Sequence, residues 1–331
     1  MAETRQALAV TAARMYYGAG QSTQEIADYL RVSRSTVSRL LTFAREAGVV
    51  EVRVHETADA STRLTADLTA RHPHVRFQII GVHPGASSGR INTAVARYAA
   101  HAIAAMVEPG MTIGIAWGNT VSSLIDYLGP KPVDDLVVVQ LNGAGNGASF
   151  GLAYASDIIV RFAENFAASP HLFPVPAFFD HAETKEALWR ERSIQQILAL
   201  QENADLLVFS TGALVGDPAS HIYTAGFLGE RDVRDLRGAG VVGDIGTVFF
   251  DEQGSGDLPI NRRSSGPPLG LYARARRSVC VASGVGKVPG LGAALSAGFI
   301  SDLIVDSRTA AELVRRATTA APVRPHRRRM R

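Results

Sequence analysis

The sequence predicts an α/β protein made of a small helical unit and a larger unit with a mainly parallel β-sheet. In the first 55 residues, three stretches with apolar residues at helical spacing precede a stretch in which apolar and polar residues alternate. Further along, short apolar runs alternate with amphipathic stretches, a rhythm typical of parallel strands covered by helices on both faces. The composition is globular, because 46% of the 331 residues are hydrophobic and only 20% are charged.

The first unit, residues 1–55, begins with a helix predicted over residues 4–17. Ser22 or Thr23 can cap the second helix, and Glu25 lies three residues after Ser22, as in a capping box. After a third helix, residues 49–55 alternate at period two and are predicted to form a strand. Three short helices followed by a strand predict a winged helix-turn-helix.

Hydroxyl and guanidinium side chains crowd the segment RVSRSTVSRL, residues 31–40. Residues 31–33 are predicted to form the turn, and Ser33 or Ser35 can cap the third helix, which runs to about Ala47. In a helix-turn-helix the start of this helix enters the major groove, where such side chains contact phosphates and base edges. The residues predicted to contact DNA are Gln24, Ser33, Arg34, Ser35, Thr36, Ser38 and Arg39.

The charge of this unit bears on how it would bind DNA. It has seven arginines against five acidic residues, so a single copy would attract a phosphate backbone only weakly. A dimer or higher oligomer that reads a palindromic operator would supply the missing affinity. The alternative interpretation is a capped, solvated surface helix with Val37 and Leu40 in the core and no DNA contact.

Residues 56–75 have a helical centre at 61–68 and end at His72-Pro73, which predicts a linker helix. The larger unit is predicted to cover residues 76–316. Its predicted strands are 77–82, 112–116, 136–140, 206–210, 278–282 and 303–305. Its predicted helices include 91–107, 120–128, 154–168, 184–201, 230–237, 290–297 and 308–316.

The basic charge is concentrated at the C-terminus. The formal net charge is +3, from 34 Lys and Arg against 31 Asp and Glu. Seven of the arginines lie from Arg315 onward, where no acidic residue occurs, so the remaining 27 basic residues leave the rest of the chain at about −4. Pro322 and Pro325 disfavour a helix, so residues 317–331 are predicted to be a disordered basic tail. The tail either adds non-specific attraction to nucleic acid or has no role.

Several classes of protein are excluded by composition. The single cysteine, Cys280, allows no intramolecular disulfide and no cysteine-based zinc site, and its apolar neighbours predict a buried thiol. No N-terminal stretch has a signal-peptide pattern, and no apolar run reaches the roughly 18 residues that a membrane span needs. The sequence therefore predicts a cytoplasmic protein with no membrane partner, and it indicates no metal site, cofactor or catalytic set.

Several motifs occur in a specific order and spacing. They are QEIA (24–27) with STVSR (35–39), IGIAWGNT (113–120), VQLNG (139–143), GVVGDI (240–245) with FFD (249–251), and VASGVGK (281–287) with AALSAG (293–298). By these motifs the chain, from Ala7 to Leu313, resembles the SorC-type bacterial transcriptional regulators, a group often labelled DeoR-like. The resemblance implies a Rossmann-like sugar-binding domain similar in fold to glucosamine-6-phosphate deaminase and ribose-5-phosphate isomerase. It also implies a homotetramer that responds to a phosphorylated sugar or a related metabolite.

Two segments that contain glycine follow predicted strands of the larger unit: Gly114–Thr120, which opens a helix, and the glycine-rich loop at residues 142–147. Backbone N–H groups and polar side chains in such loops suit an anion or sugar hydroxyls, and open α/β sheets bind ligands beyond the carboxyl ends of their strands. A glycine required only for a tight turn is the alternative. The predicted effector-binding residues are Gly118, Asn119, Thr120, Asn142, Gly143, Asp244, Asp251 and Lys287.

Charged residues among these candidates narrow the ligand class. Lys287 follows a predicted strand and a glycine-rich turn, where an ammonium group suits a phosphate, although a plain surface lysine is the alternative. Asp244 and Asp251 could accept hydrogen bonds from sugar hydroxyls or could cap turns. At the position of Asn142, SorC-type relatives can hold a basic residue. An asparagine can neither neutralise a phosphate nor form a Schiff base. This departure favours a monophosphate, or an uncharged sugar or polyol, over a bisphosphate or a covalently held aldehyde.

Three functional classes fit the sequence, and a sugar-responsive transcription factor fits it best. An isomerase or deaminase on the same fold would need a general base and a second acid/base group. Asp244, Asp251 and His221 are available, but their spacing does not require catalysis, and an enzyme has no use for the N-terminal helices. The third class is a DNA-binding protein whose larger domain only forms oligomers.

Overall fold

The computed structural model describes residues 2–18, 20–47, 49–50, 58–145, 150–213, 220–224 and 226–319. The chain divides into two compact units, Met1–Glu56 and Thr57–Arg331. The first unit is helical and the second combines helices with a parallel sheet, so the predicted α/β class is confirmed.

The N-terminal unit contains helices α1 (Ala2–Ala13), α2 (Thr23–Leu30) and α3 (Arg34–Glu46). A π-helical turn, Arg14–Gly18, follows α1. Tyr16, which lies in this turn, is 40% exposed. The buried core of this unit consists of Ala9, Ala12, Ala13, Ile26, Ala27, Val37, Leu40, Leu41 and Ala44.

Side-chain caps define the turn between α2 and α3. Ser22 Oγ accepts a hydrogen bond from the Glu25 N–H (3.2 Å), and Glu25 Oε2 accepts one from the Ser22 N–H (2.7 Å), which confirms the predicted capping box. Helix α2 ends at Arg31 in the left-handed conformation, with φ 54°. Ser33 Oγ accepts a hydrogen bond from the Thr36 N–H (3.2 Å), so Ser33, one of the two candidates, caps α3.

The second unit contains ten described strands: β1 (Arg76–Ile80), β2 (Thr112–Ile115), β3 (Val137–Gln140), β4 (Ser169–His171), β5 (Leu206–Phe209), β6 (Thr211–Gly212), β7 (Val241–Ile245), β8 (Val248–Asp251), β9 (Arg277–Ala282) and β10 (Asp302–Asp306). Seven form a parallel sheet in the order β1-β10-β9-β5-β2-β3-β4. The other three form an antiparallel sheet in the order β6-β7-β8. All six predicted strands are present, each within two residues of its predicted bounds.

The described helices of this unit are α4 (Ala58–Arg71), α5 (Ser88–Met106), α6 (Asn119–Ile125), α7 (Phe150–Asn165), α8 (Ala182–Leu188), α9 (Arg192–Glu202), α10 (His221–Thr224), α11 (Glu230–Gly238), α12 (Leu269–Arg274), α13 (Val288–Ser296) and α14 (Ser307–Thr319). Short 3₁₀ turns cover Pro259–Arg262 and Val285–Lys287. Throughout the described ranges, no helix has both the length and the apolar composition needed to cross a membrane.

Helices cover both faces of the parallel sheet, as the sequence predicts. In β5, Leu206 and Val208 pack in a cluster that includes side chains of α5, α6 and α7. The alternate residues Leu207 and Phe209 pack in a second cluster with side chains of α4, α13 and α14. Burial on both faces explains why these strands are continuous apolar runs rather than alternating ones.

Some elements differ from the sequence prediction. The edge strand β4 and the small sheet β6–β8 were not predicted; β4 contains Pro170 and β6 has only two residues, so neither carries a clear period-two pattern. The single helix predicted over 184–201 is two helices, α8 and α9. The break follows Trp189, whose ring packs edge-on against Phe173 and Phe179, a tertiary contact that spacing cannot reveal.

The predicted linker and tail both contribute to packing in the second unit. Leu68 of α4 is 2% exposed in the second cluster, and Arg71 donates a hydrogen bond to Thr318 Oγ1 (3.0 Å) at the end of α14. Helix α14 continues to Thr319, so residues 317–319 are helical rather than part of a disordered tail. Residues 320–331 and most of the predicted strand 49–55 lie outside the described part of the chain; Val49 and Val50 form a bend.

Candidate functional site

The order of strands changes direction between β2 and β5. From β2 the chain continues outward to β3 and β4, whereas β5 lies on the other side of β2 and leads outward to β9 and β10. At such a position the loops that follow the two strands diverge and leave a crevice beyond their carboxyl ends. Ligands of open α/β sheets bind in this crevice.

A cavity of about 480 Å³ occupies this position, and we call it the switch-point cavity. Its walls come from the segments that follow β2, β3, β5, β9 and β10, from the β7–β8 hairpin and from the start of α5. The volume is in the range of pockets that enclose small metabolites. Six of the eight predicted effector-binding residues line it: Gly118, Asn119, Thr120, Asn142, Asp244 and Lys287.

The Lys287 ammonium group lies against the segments that follow β2 and β5. Its Nζ donates hydrogen bonds to Thr120 Oγ1 (3.0 Å) and Ser210 Oγ (2.8 Å). Burial lowers the pKa of this amine, while the nearby Cys280 and Asp244 raise it. Because an ammonium group has three donors and two are used, the third can serve an acceptor in the cavity.

Asp244 is buried where β7 pairs with β6, and it interacts electrostatically with Lys287. It lies across from Gly212 in the register, and a Cβ at that position would be 1.9 Å from Asp244 Oδ1, so the strand requires glycine there. Tyr223 Oη donates a hydrogen bond to the same oxygen (3.4 Å). Burial raises the pKa of Asp244 to about 6, although hydrogen bonds from Thr247 N–H and Tyr223, and the charge of Lys287, act to lower it.

The raised pKa of Asp244 predicts how stability depends on pH. Between about pH 4 and pH 6 the folded chain holds a proton on Asp244 that the unfolded chain releases, so the free energy of unfolding falls as pH rises through this window. A shift of this pKa from 3.8 to about 6 lowers the free energy of unfolding above pH 6 by about 3 kcal/mol, relative to a carboxyl with an unshifted pKa. Asp244→Asn, which cannot ionise, is therefore expected to gain stability relative to the parent chain as pH rises. Urea unfolding of both proteins at pH 4.5 and 8 measures this difference; equal differences at the two pH values would contradict it.

Asn142 lines the cavity, and its backbone is held in place by hydrogen bonds. Its carbonyl oxygen accepts hydrogen bonds from Trp117 Nε1 (3.0 Å) and Gln140 Nε2 (2.8 Å). Gln140 Oε1 in turn accepts one from the Phe173 N–H (3.1 Å), so Gln140 is a structural residue of its strand. Asn142 is 1% exposed, and its Oδ1 has no hydrogen-bond partner.

Two predicted effector-binding residues do not line the cavity. The N–H of Gly143 donates a hydrogen bond to Ser265 Oγ (3.0 Å), so this glycine connects two segments of the protein interior. Asp251 ends β8, and its Oδ1 accepts hydrogen bonds from the N–H groups of Gln253 (2.9 Å) and Ser255 (2.8 Å). Asp251 therefore caps a turn, the second of the two roles that the sequence allowed for it, and its assignment to the effector site is corrected.

The sequence prediction missed several residues that line the cavity. Ser210 and Thr211 directly follow β5, and their position at the carboxyl end of a predicted strand was a usable signal. Arg308 and Thr309 lie at the start of α14, next to Asp306, which accepts hydrogen bonds from both of their N–H groups. Ser88 and Gly89, at the start of α5, had no such signal, because nothing local indicates that this helix begins beside the cavity.

In the first unit, the predicted DNA-contacting side chains lie on α2 and on the outer side of α3. Val37 and Leu40 are buried on the inner side, at 0% and 4% exposure. Gln24 is exposed on α2, where its Nε2 donates to Asp28 Oδ1 (2.9 Å). The outer side of α3 and its cap present Ser33, Arg34, Ser35, Ser38 and Arg39, all exposed, and Thr36, which is half-buried.

The polar groups at the start of α3 are bonded mainly to one another. Ser33 Oγ lies 2.8 Å from Ser35 Oγ and 2.9 Å from Thr36 Oγ1. Arg39 donates through Nε to the Ser35 carbonyl (3.4 Å) and through Nη2 to Thr36 Oγ1 (3.5 Å). These arginine contacts are long, so phosphate oxygens or base edges can replace them at little cost. The surface therefore offers hydroxyls and guanidinium groups in the arrangement that a helix-turn-helix uses.

Comparisons with protein families agree with both parts of the chain. A family model described as a sugar-binding domain matches residues 53–315, and one for bacterial regulatory proteins of the crp family matches residues 22–50. The chain is 33% identical over 315 residues to the deoxyribonucleoside regulator of Bacillus subtilis (strain 168), covering 95% of this chain and 99% of that protein. It is 24% identical to the sorbitol operon regulator of Klebsiella pneumoniae, covering 93% and 98%.

Solved structures with the same fold include a domain of a possible sugar-binding transcriptional regulator from Arthrobacter aurescens TC1. The TM-score is 0.72 at 40% identity, over 80% of this chain and all of that one. The full-length sorbitol operon regulator SorC from Klebsiella pneumoniae superposes with a TM-score of 0.71 at 24% identity, over 93% and 98% of the two chains. The second match establishes likeness of fold across both units of the chain.

Proposed function

Because the chain belongs to the SorC-type family of sugar-binding bacterial transcriptional regulators, we propose that it binds operator DNA through α3 and that a sugar, sugar phosphate or polyol in the switch-point cavity controls this binding. The proposal assigns the DNA contacts to Gln24 and the outer side of α3. It assigns the effector contacts to the cavity lining, with Lys287 and Asp244 as the charged groups.

The cavity lining is the observation that carries the effector assignment. Sugars and polyols present many hydroxyls that both donate and accept, so a site for them needs donors and acceptors in close array. The lining offers the Lys287 amine, the hydroxyls of Thr120, Ser210 and Thr211, and the Asp244 carboxyl. Lys287 is held by two hydroxyls, so it is already oriented before a ligand arrives.

Control of DNA binding requires that the effector bind two arrangements of the protein with different affinity. The coupling is reciprocal, so an effector that weakens operator binding is itself bound more weakly by the operator complex. We expect the protein to act as a homo-oligomer, as the family resemblance implies, and as a tetramer in particular. A palindromic operator would match such an assembly, since the near-neutral N-terminal unit favours binding by more than one copy.

The regulator proposal and an enzyme on the same fold make different demands on the site. An isomerase or deaminase needs a general base and a second acid/base group beside the ligand. Asp244 lines the cavity, but Asp251 caps a turn away from it. The named relatives are regulators, so we propose that the cavity binds its ligand without converting it.

A thermal-shift screen tests this function. The full chain is scanned with sugars, alditols and their monophosphates, with inorganic phosphate as the control for a bare anion. We expect at least one sugar or polyol derivative to raise the melting temperature, because a ligand at 100 times its Kd adds about 2.7 kcal/mol of stability. The same compound should change the affinity for a DNA duplex selected by the protein from a random library, with no product formed.

The outcomes of the screen separate the three functional classes. Stabilisation by no sugar derivative would contradict the effector assignment and favour a domain that only forms oligomers. Turnover of the bound compound, lost in Asp244→Ala, would identify an enzyme. Binding of the compound without any effect on the DNA affinity would contradict the proposed control of transcription.

A further inference from the structure

The second unit contains another cavity, of about 550 Å³, and none of the described residues lines both it and the switch-point cavity. Its walls come from α8, α9 and α12, from the turn after β8 and from the segment that precedes α12. We call it the α9–α12 cavity. Its volume is in the range of pockets that enclose small molecules.

Close packing of the backbone separates the two cavities. Gly266 lines the α9–α12 cavity, and a Cβ at this position would be 1.9 Å from the carbonyl oxygen of Gly246, which lines the switch-point cavity. Beside it, Ser265 Oγ accepts a hydrogen bond from the Gly143 N–H (3.0 Å). The wall between the cavities is therefore filled by protein, so the α9–α12 cavity is a site of its own.

The amide and hydroxyl side chains of the α9–α12 cavity are already bonded within the protein. Asn261 Nδ2 donates to two backbone carbonyl oxygens (2.7 and 2.8 Å), and its Oδ1 accepts from a backbone N–H (2.9 Å). Gln201 Nε2 donates to the Gln140 carbonyl (2.8 Å), and Ser265 Oγ donates to the Ala177 carbonyl (3.0 Å). Because a sugar or polyol needs many donors and acceptors, this lining does not suit one.

The rest of the wall is mainly apolar. Its apolar side chains include Trp189, Leu198, Val248, Leu269, Leu271 and Phe299. The Trp189 ring is fixed by edge-on contacts with Phe173 and Phe179, at 5.6 and 5.7 Å between ring centroids. An aromatic or aliphatic ligand body gains free energy when it leaves water for such walls.

Two cationic side chains also line the cavity, and within the described ranges neither forms an ion pair. Lys185 is half-buried, and its Nζ lies 5.3 Å from the centroid of the Trp189 ring. Burial lowers the pKa of this amine, while the charge of Glu186 acts to raise it. Arg274 lines the cavity from α12 and is exposed. A half-buried ammonium group without a counter-ion favours the binding of an anion.

The charge of the lining limits the charge of the ligand. Glu202 is the one acidic residue among the described lining residues, so two cations against one carboxylate leave an excess of one positive charge. A carboxylate ligand carries one negative charge at neutral pH and balances this excess. A phosphate monoester carries about 1.5 to 2 negative charges at pH 7, and its surplus would be repelled by Glu202.

We propose that the α9–α12 cavity is a second ligand site, which binds a monocarboxylic acid with an aromatic or aliphatic body. The carboxylate lies at Lys185 and Arg274, and the body packs against Trp189 and the neighbouring apolar walls. This site does not depend on the function proposed above, because its residues lie neither in the switch-point cavity nor on α3.

The test uses the two tryptophans of the chain as separate reporters, since Trp117 lines the switch-point cavity and Trp189 lines the α9–α12 cavity. The full chain is labelled with fluorotryptophan, and its two fluorine NMR resonances are assigned with Trp189→Phe. The probes are phenylacetate and octanoate, with their uncharged amides. Phenyl phosphate tests the dianion, and acetate tests a carboxylate without an apolar body.

We expect phenylacetate or octanoate to shift the Trp189 resonance and to leave the Trp117 resonance in place. Lys185→Met and Arg274→Met should each weaken binding of that carboxylate about tenfold, because each removes a charged donor. The uncharged amide should bind the parent chain and both variants equally. A variant that failed to fold would lose the amide as well, and the exposed position of Arg274 makes this outcome avoidable in at least one of the two.

Arg276→Met is the matched control. Arg276 is two positions from Arg274 and pairs with Glu108 (3.9 Å), and neither of these two partners lines the α9–α12 cavity. This variant loses the same charge as Arg274→Met, so it should bind the carboxylate as the parent chain does. A loss equal to that of Arg274→Met would mean that net charge, not the cavity, attracts the probe.

Four further results would overturn the inference. They are a Trp189 resonance that no carboxylate shifts, a shift of the Trp117 resonance alone, carboxylate affinities that both methionine variants leave unchanged, and tighter binding of phenyl phosphate than of phenylacetate. The second of these would place the probe in the switch-point cavity, and the last would contradict the single charge of the ligand. None of them affects the proposed function, which the sugar screen and the operator measurements test.

Discussion

Replacing both Arg34 and Arg39 with alanine is expected to lower operator affinity by roughly 10²–10⁴-fold while leaving the effector affinity unchanged. Each arginine that binds a guanine edge with two hydrogen bonds is worth about 1–3 kcal/mol, and the two residues lie five positions apart on the exposed side of α3. If one of them binds phosphate instead, its loss should reduce the salt dependence of binding by about one unit in slope. Fluorescence anisotropy with a labelled operator at several salt concentrations measures both quantities.

Removal of these side chains should not unfold the N-terminal unit. Both are exposed, and the contacts of Arg39 are long hydrogen bonds to Ser35 and Thr36. The helix core formed by Val37 and Leu40 is untouched, so the expected change in stability is within about 0.5 kcal/mol. A loss of DNA binding can then be assigned to the surface itself.

A matched control removes two arginines from another exposed helix. Arg231 and Arg234 of α11 form only surface ion pairs with Asp235 and Glu230, so their replacement by alanine changes the net charge equally. We expect this variant to bind the operator within about threefold of the parent chain. Equal losses in the two double variants would mean that net charge, not α3, governs binding; an unchanged affinity in the α3 variant would place the recognition surface elsewhere.

The sequence predicted local structure best where hydrogen bonds between residues close in the sequence determine it. The capping box at Ser22 needs only two residues three positions apart, and both of its hydrogen bonds are present. Strands such as β5 were predicted because apolar runs of this length are buried on both faces of a parallel sheet. Lys287 was a candidate because it follows such a strand, and the cavity does lie at that end of the sheet.

Residues whose role depends on distant packing were not predictable in this way. Thr211 belongs to a strand of two residues whose partner, β7, lies about thirty residues later in the chain. The local spacing of apolar residues cannot predict such a pairing. From the sequence, both Asp244 and Asp251 could either accept hydrogen bonds from sugar hydroxyls or cap a turn. The structure separates them, because Asp244 faces a cavity and Asp251 receives the N–H groups of its own turn.

Replacing Lys287 with methionine is expected to remove most of the response to an anionic effector. The ammonium group donates to Thr120 and Ser210 inside the cavity, and a hydrogen bond from such a charged, buried group to a phosphate is worth about 1.5–3 kcal/mol. Methionine keeps an unbranched stem of similar length, so the packing of the site changes little. We expect roughly a 10–100-fold loss of affinity for a sugar monophosphate, and a smaller loss for an uncharged polyol.

The variant should also shift the titration of Asp244. The charge of Lys287 is one of the influences that lower the pKa of this carboxyl, so its removal is expected to raise that pKa further above about 6. The window in which stability falls with rising pH would then move upward relative to the parent chain. Urea unfolding as a function of pH reports this shift independently of any ligand.

Lys185→Met is the matched control, since Lys185 lies over the Trp189 ring at 5.3 Å and does not line the switch-point cavity. It should leave the effector response unchanged. If Lys287→Met responds fully to every sugar monophosphate that the parent chain binds, Lys287 is not an effector contact. A variant that loses operator binding in the absence of effector would instead show that Lys287 supports the active arrangement of the protein. Only a selective loss of effector affinity, with operator affinity retained, assigns the phosphate to this lysine.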